Sequence, residues 1–134
     1  MQEVLLVLVI AILAILIEPP QEDSFQESKA RGAIIYHDFC ASCHLPSGEG
    51  VPEVYPPLAN SDYLLTNKTG SIRGIKFGQR GPMVVNGTTY DNTMMPLGLE
   101  DKEIADVMNF VLSSWGNKTE KMVTPKEVEA VGPR

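Results

Sequence analysis

"CASCH", residues 40–44, holds both cysteines of this 134-residue chain, three apart, with one of its two histidines directly after the second. On a helical turn, two thiols at that spacing face the same edge of a flat group, and the next side chain turns beneath it. C-x-x-C-H is the attachment signal for c-type haem. Each thiol adds to a porphyrin vinyl and becomes a thioether, and Nε2 of His44 is then placed to bind iron. Two other uses of C-x-x-C fit less well. A thioredoxin-like dithiol needs a βαβ pattern, which is missing here. A structural zinc needs four ligands; the chain has two Cys and two His, and His44 abuts Cys43 in an awkward geometry.

The bulk numbers agree with a small, loop-rich domain. Hydrophobic residues are 43% and charged residues 21%, ordinary for a globular chain. Gly (11) and Pro (10) are plentiful, so loops should be many and long elements few. The net charge of −6 argues against nucleic acid, because phosphate binding needs clustered Lys and Arg. A domain of roughly 90 residues has a thin core and often needs a covalent or ligand staple. A covalent haem would supply it.

Four segments are expected. Residues 1–18 form a membrane anchor or signal segment. Val4 to Ile17 is an uninterrupted apolar run, and at about 1.5 Å per residue residues 4–17 cover ~21 Å of a ~30 Å hydrocarbon layer. Met1, Gln2 and Glu18 extend it to a thin span. A cleaved secretory signal is the competing reading, but the first basic residue is Lys29, and Ile12-Leu13-Ala14 is a poor cleavage site. An uncleaved anchor is preferred, and either way the chain is exported. Residues 19–24 make a stiff, solvated linker. Residues 25–116 are the haem domain, and 117–134 a tail with a short helix.

Within the domain, Ser24 and Glu27 fit a capping box opening a helix to about Cys40. Asn60 or Ser61 caps a short helix through Leu65, and another runs from about Gly70 to Phe77. Asn86-Gly87 marks a turn, and no good strand is seen. The last strong helix begins near Asp101, with Ile104, Val107, Met108, Val111, Leu112 and Trp115 at helical spacing and Gly116 ending it. Thr124-Pro125-Lys126-Glu127 is a second capping box, for a tail helix to Val131. The fold class is all-α.

A sixth iron ligand is the next need. A methionine raises the potential of a His-ligated haem relative to a second imidazole and blocks the site against gases. Of six methionines, Met1 lies in the anchor, Met122 in the tail, and Met108 on the packing face of the last helix. Met83, in "GPMVVNG", is read as a haem-edge packing residue. Met94 and Met95 sit in "NTMMPLG", where a Pro can hold a side chain rigid. One of the pair is the natural axial ligand.

Together, residues 27 to 116 resemble a class I c-type cytochrome: a helix, C-x-x-C-H, a Pro-rich loop, short helices, a Met-Pro loop and a closing helix. The resemblance implies one covalent haem c on Cys40 and Cys43, with His44 as an axial ligand. It selects Met95 over Met94, since the family's ligand commonly precedes Pro, with Met94 as the alternative. It implies a close helix crossing at Gly32 and Tyr36 against Phe110. It also implies that the Pro56 carbonyl accepts from the His44 ring, with Pro57 as the alternative, and that Leu58 packs on the haem. "YPPLANSDYLL", "EIADVMNFVLSSWGN" and "VTPKEVEAV" are similar to the monohaem domains that accompany bacterial periplasmic dehydrogenases and oxidases.

The function expected is single-electron transfer by an iron couple, with no substrate converted. The partners expected are a dehydrogenase or quinol-oxidising complex on one side and a terminal oxidase or reductase on the other. The protein is placed in the bacterial cell membrane by residues 4–17, single-pass with its haem domain in the periplasm; a soluble periplasmic form after cleavage is the alternative. A haem-based peroxide or gas enzyme or sensor, with a displaceable Met, is the rival reading. Lys68, Arg73, Lys76 and Arg80 form a basic stretch, and Glu100, Asp101, Glu103 and Asp106 an acidic one. Both are read as solvated faces more than as a docking dipole. His37 is read as a surface residue.

Overall fold

The computed structural model describes residues 24–119 and 121–133. The anchor expected at 1–18, and most of the linker after it, lie outside the described residues. Helix α1, Phe25–Phe39, opens on Ser24, whose side chain accepts from the Glu27 N–H while the Glu27 carboxylate accepts from the Ser24 N–H. One turn, α2, follows at Ala41–His44. Then come α3, Asp62–Thr66, capped by Ser61, and α4, Lys68–Phe77, capped by Asn67. Helix α5 is Asp101–Val111, and α6 is Pro125–Glu129, with the Thr124–Glu127 capping box in place. Among the described residues no helix is long and apolar enough to cross a membrane.

The crossing of α1 on α5 organises the domain. A side chain at Gly32 would meet the Asp106 carbonyl oxygen at 2.0 Å, so the backbones touch there. The face α1 buries is small and polar: Ser28, Gly32 and Tyr36. Buried hydroxyls need partners, and Ser28 Oγ donates to Asp106 (2.6 Å) and accepts from the Asn109 amide (2.8 Å). Arg31 closes the group with two hydrogen bonds to the Asp106 carboxylate, 2.7 and 2.9 Å. Asn109 then reaches the other way, bonding both the N–H and the C=O of Val123 (2.7 and 2.9 Å). Val123, Val128 and Val131 thereby join the core formed by Ile104, Val107, Met108 and Ile72. The tail is built into the same core as residues 25–116.

Two expectations are corrected. A two-stranded antiparallel hairpin is present, β1 (Met83–Val85) with β2 (Thr88–Tyr90), Met83 opposite Tyr90. Three-residue strands are too short to display alternation; the Asn86-Gly87 turn, with φ of 50° and 78°, carries the signal instead. Helix α5 also ends earlier than its apolar spacing suggests, at Val111. Ser113 and Ser114 turn their hydroxyls back onto the Asn109 and Phe110 carbonyls, both at 2.6 Å, and the Asn117 amide takes the Val111 carbonyl at 2.8 Å. Such side-chain bonds offer the backbone an alternative to another helical turn. Trp115 therefore lies beyond the helix, at φ 52°. It packs on Tyr36 and Phe110 with ring centroids 4.9 and 5.4 Å apart.

Candidate functional site

The site begins where α1 gives way to α2. Cys40 ends α1, and its carbonyl accepts from the N–H groups of Cys43 (3.2 Å) and His44 (2.9 Å). That single turn sets Cys40, Cys43 and His44 on the wall of one cavity. Cys40 is buried, and burial pushes its thiol up to about 11, with Cys43 adding to the shift. The side chain of His44 is oriented from the loop. Its Nδ1 lies 2.8 Å from the Pro56 carbonyl oxygen. A carbonyl can only accept, so Nδ1 carries the proton and Nε2 keeps its lone pair. Burial holds the imidazole below its ordinary pKa, against the opposing pull of the Pro56 bond.

The loop that presents Pro56 folds back on itself. Val51 and Tyr55 exchange backbone hydrogen bonds at 2.8 Å, Gly50 N–H donates to the His44 carbonyl at 3.0 Å, and the Leu58 and Ala59 N–H groups both reach the Gly48 carbonyl. Gly50 sits at φ 65°, where a side chain would meet the Tyr55 carbonyl oxygen at 2.4 Å. The close approach and the positive φ both require glycine.

The cavity is partly open to solvent, and its lining is almost wholly apolar. Leu58, Pro56, Pro57 and Met83 all line it. Of the methionine pair, the structure lines the cavity with Met94, while Met95 is 59% exposed. The side chain at the cavity is thus that of Met94, the alternative to Met95. The physical reason is backbone pairing: Met94 and Gln79 exchange hydrogen bonds at 2.8 and 2.9 Å, fixing an extended stretch. Successive side chains in extended backbone face opposite ways.

Residues that sequence reasoning missed complete the walls. Val85 and Tyr90 come from the hairpin, and Gly70, Ser71 and Gly74 present a small-residue face of α4. Small residues at 70, 71 and 74, at helical spacing, were a readable sign of a helix leaving room for something large. His37 is on the surface, its side chain 85% exposed and 3.0 Å from Asp38. The charged stretches are tied down. Lys68 pairs with Glu127 (3.0 Å), Lys76 with Asp101 (2.9 Å) and the Val128 carbonyl (3.0 Å), and Arg73 with the Gly132 carbonyl (3.0 Å).

Two free thiols, an oriented imidazole and a thioether around one large apolar cavity fit a covalently held porphyrin. The comparisons agree. The cytochrome c family model matches residues 29–115, and the chain belongs to that family. Its cofactor is a c-type haem bound covalently through Cys40 and Cys43, and its function is haem-based electron transfer. It is similar to cytochrome c-552 of Thermus thermophilus, 35% identical over 111 residues, which cover 76% of this chain and 74% of that one. It is also similar to the cytochrome c subunit of alcohol dehydrogenase (quinone) from Gluconobacter oxydans, 32% identical over 102 residues, 73% of this chain but 21% of the relative. FixP, a subunit of cbb3-type cytochrome c oxidase in Bradyrhizobium diazoefficiens, is 31% identical over 99 residues, 70% of this chain and 33% of the relative.

Proposed function

We propose that this chain is a one-electron carrier whose iron is held by His44 and Met94. It would pass electrons between a periplasmic or membrane dehydrogenase, or a quinol-oxidising complex, and an oxidase or reductase. The observation that carries the reading is that Met94 and His44 line the same cavity as both cysteines. When bound, the haem supplies a one-electron iron couple. The chain's own groups do the rest. The Pro56 carbonyl fixes the His44 tautomer and ring direction. The Gln79 pairing holds the Met94 backbone, and a side chain held in place resists displacement by small molecules. The apolar walls exclude water, which keeps the charge change from reorganising solvent.

The relatives' names support a place among dehydrogenases and oxidases. Residues 4–17 would tether the domain to a bacterial cell membrane with the haem on the periplasmic side; mass spectrometry of the membrane fraction should find residues 1–20 retained. The ligand assignment has a direct test. The oxidised protein should show the far-red methionine–iron band, lost in Met94→Ala and kept in Met95→Ala, and the reduced wild type should not bind carbon monoxide while Met94→Ala should. Loss of the band in Met95→Ala alone would return the ligand to Met95. Carbon monoxide binding by the wild type would favour a gas-binding or peroxide-consuming protein instead.

A further inference from the structure

We infer that Tyr36 is a positioning residue for His44, acting through a hydrogen bond that holds Leu45 in a left-handed conformation. The inference rests on the reading of His44 as an iron ligand. Leu45 directly follows that histidine and shares a peptide bond with it. Its φ of 63° and ψ of 159° lie in a region that glycine occupies freely and leucine does not. Such a conformation persists only where the surroundings over-determine it. Three hydrogen bonds do so: Leu45 N–H donates to the Ala41 carbonyl (3.0 Å), and the Leu45 carbonyl accepts from Gly48 N–H (3.0 Å) and from the Tyr36 hydroxyl (2.6 Å).

The tyrosine bond differs from the other two in where it is anchored. The first two join residues of the same turn, which could move together. Tyr36 belongs to α1, is 3% exposed, and has its ring gripped by Phe110 (5.4 Å) and Trp115 (4.9 Å). Its hydroxyl cannot follow a drifting carbonyl. Burial raises its pKa, so it stays a donor at any ordinary pH. The sharp turn at Leu45 in turn sends the chain round to Gly50, whose N–H holds the His44 carbonyl, and on to Pro56, whose carbonyl holds the His44 ring. A purely packing role for Tyr36, as the aromatic at the helix crossing, would be filled equally well by phenylalanine.

The exported, haem-loaded protein distinguishes these. Wild type, Tyr36→Phe, Leu45→Gly and the double variant are compared by amide hydrogen exchange and by the iron-shifted proton resonances of the His44 ring. Tyr36→Phe should speed exchange at the Leu45 and Gly48 amides roughly tenfold, the size expected for losing one hydrogen bond, and should shift the His44 resonances. In the Leu45→Gly background both effects should fall by more than half, because glycine holds that conformation unaided. Wild-type exchange and resonances in Tyr36→Phe, or undiminished effects in the glycine background, would overturn the inference. Should Tyr36→Phe fail to accumulate, the double variant should accumulate, and its failure as well would count against the inference. A wild type with no iron-shifted His44 resonance would overturn the ligand reading first and this inference with it.

Discussion

Gly32 has no space for a methyl group: a Cβ there would lie 2.0 Å from the Asp106 oxygen and 2.9 Å from Phe110 Cβ. Both neighbours sit on a helix that cannot yield locally. Gly32→Ala should cost about 3 kcal/mol or more in a denaturant titration, far beyond the gain from adding a helix former. A loss under ~1 kcal/mol would mean that the helices can separate without penalty. Asn109 is the second sensitive position. Asn109→Leu strands the Val123 N–H and C=O and removes one of the two hydrogen bonds of the Ser28 hydroxyl, and should cost about 2–4 kcal/mol by the same titration. The legibility of single residues divides along similar lines. Cys40, Cys43 and His44 could be found from sequence because covalent chemistry dictates their spacing. Gly32 was legible through its resemblance to a family pattern. The resemblance chose Met95 on its place before Pro, but which of the pair lines the cavity depends on pairing with Gln79, fifteen positions away in the chain.

Helices announced themselves where their ends carry side-chain chemistry. Ser24, Ser61 and Thr124 cap α1, α3 and α6 as their sequences indicate. The end of α5 and the hairpin were hidden, since one depends on serine and asparagine side chains reaching back to carbonyls and the other on strands of only three residues. The buried face of α1 was also obscure, because Ser28 and Gly32 leave no apolar stripe and Phe39, which would suggest one, is 46% exposed. Helix α6 is short, yet Val128 is fully buried. Val128→Ala should cost about 2 kcal/mol by thermal or chemical unfolding. Its clasp on α4 should loosen in acid. Partial burial works against the Glu127 carboxylate, but hydrogen bonds from Lys68 and the Thr124 region, with the Lys68 and Lys121 charges, hold its pKa below the ordinary 4.5. A depressed carboxylate pKa stabilises above the unfolded value and ceases to do so as pH falls through the folded one. The pair is partly exposed, so Glu127→Gln should remove less than about 1 kcal/mol at neutral pH and nothing once the carboxylate is protonated.

Most of the charges in the basic stretch and along α5 are engaged internally. Three of the four cations in the 68–80 stretch hold the tail or the start of α5. The acids of α5 are similarly occupied: Glu103 caps Glu100, Asp101 meets Lys76, and Asp106 binds Ser28 and Arg31. Lys68, Lys76 and Arg31 meet carboxylates, and ion pairs of this kind project little field beyond a Debye length. Electron exchange with a redox partner should therefore change by less than roughly threefold between low salt and ~0.5 M, measured by stopped flow; a fall of tenfold or more would show that unpaired charges elsewhere do the steering. Trp115, the sole tryptophan, leans over the turn after His44, where a side chain on Gly48 would meet its indole at 2.5 Å. In a domain with a radius of gyration of about 13 Å, a porphyrin anywhere in that cavity is near enough to drain its excited state. The folded protein should be dark under ultraviolet excitation and brighten as it opens, so nature has fitted this cytochrome with its own lamp for watching it come apart.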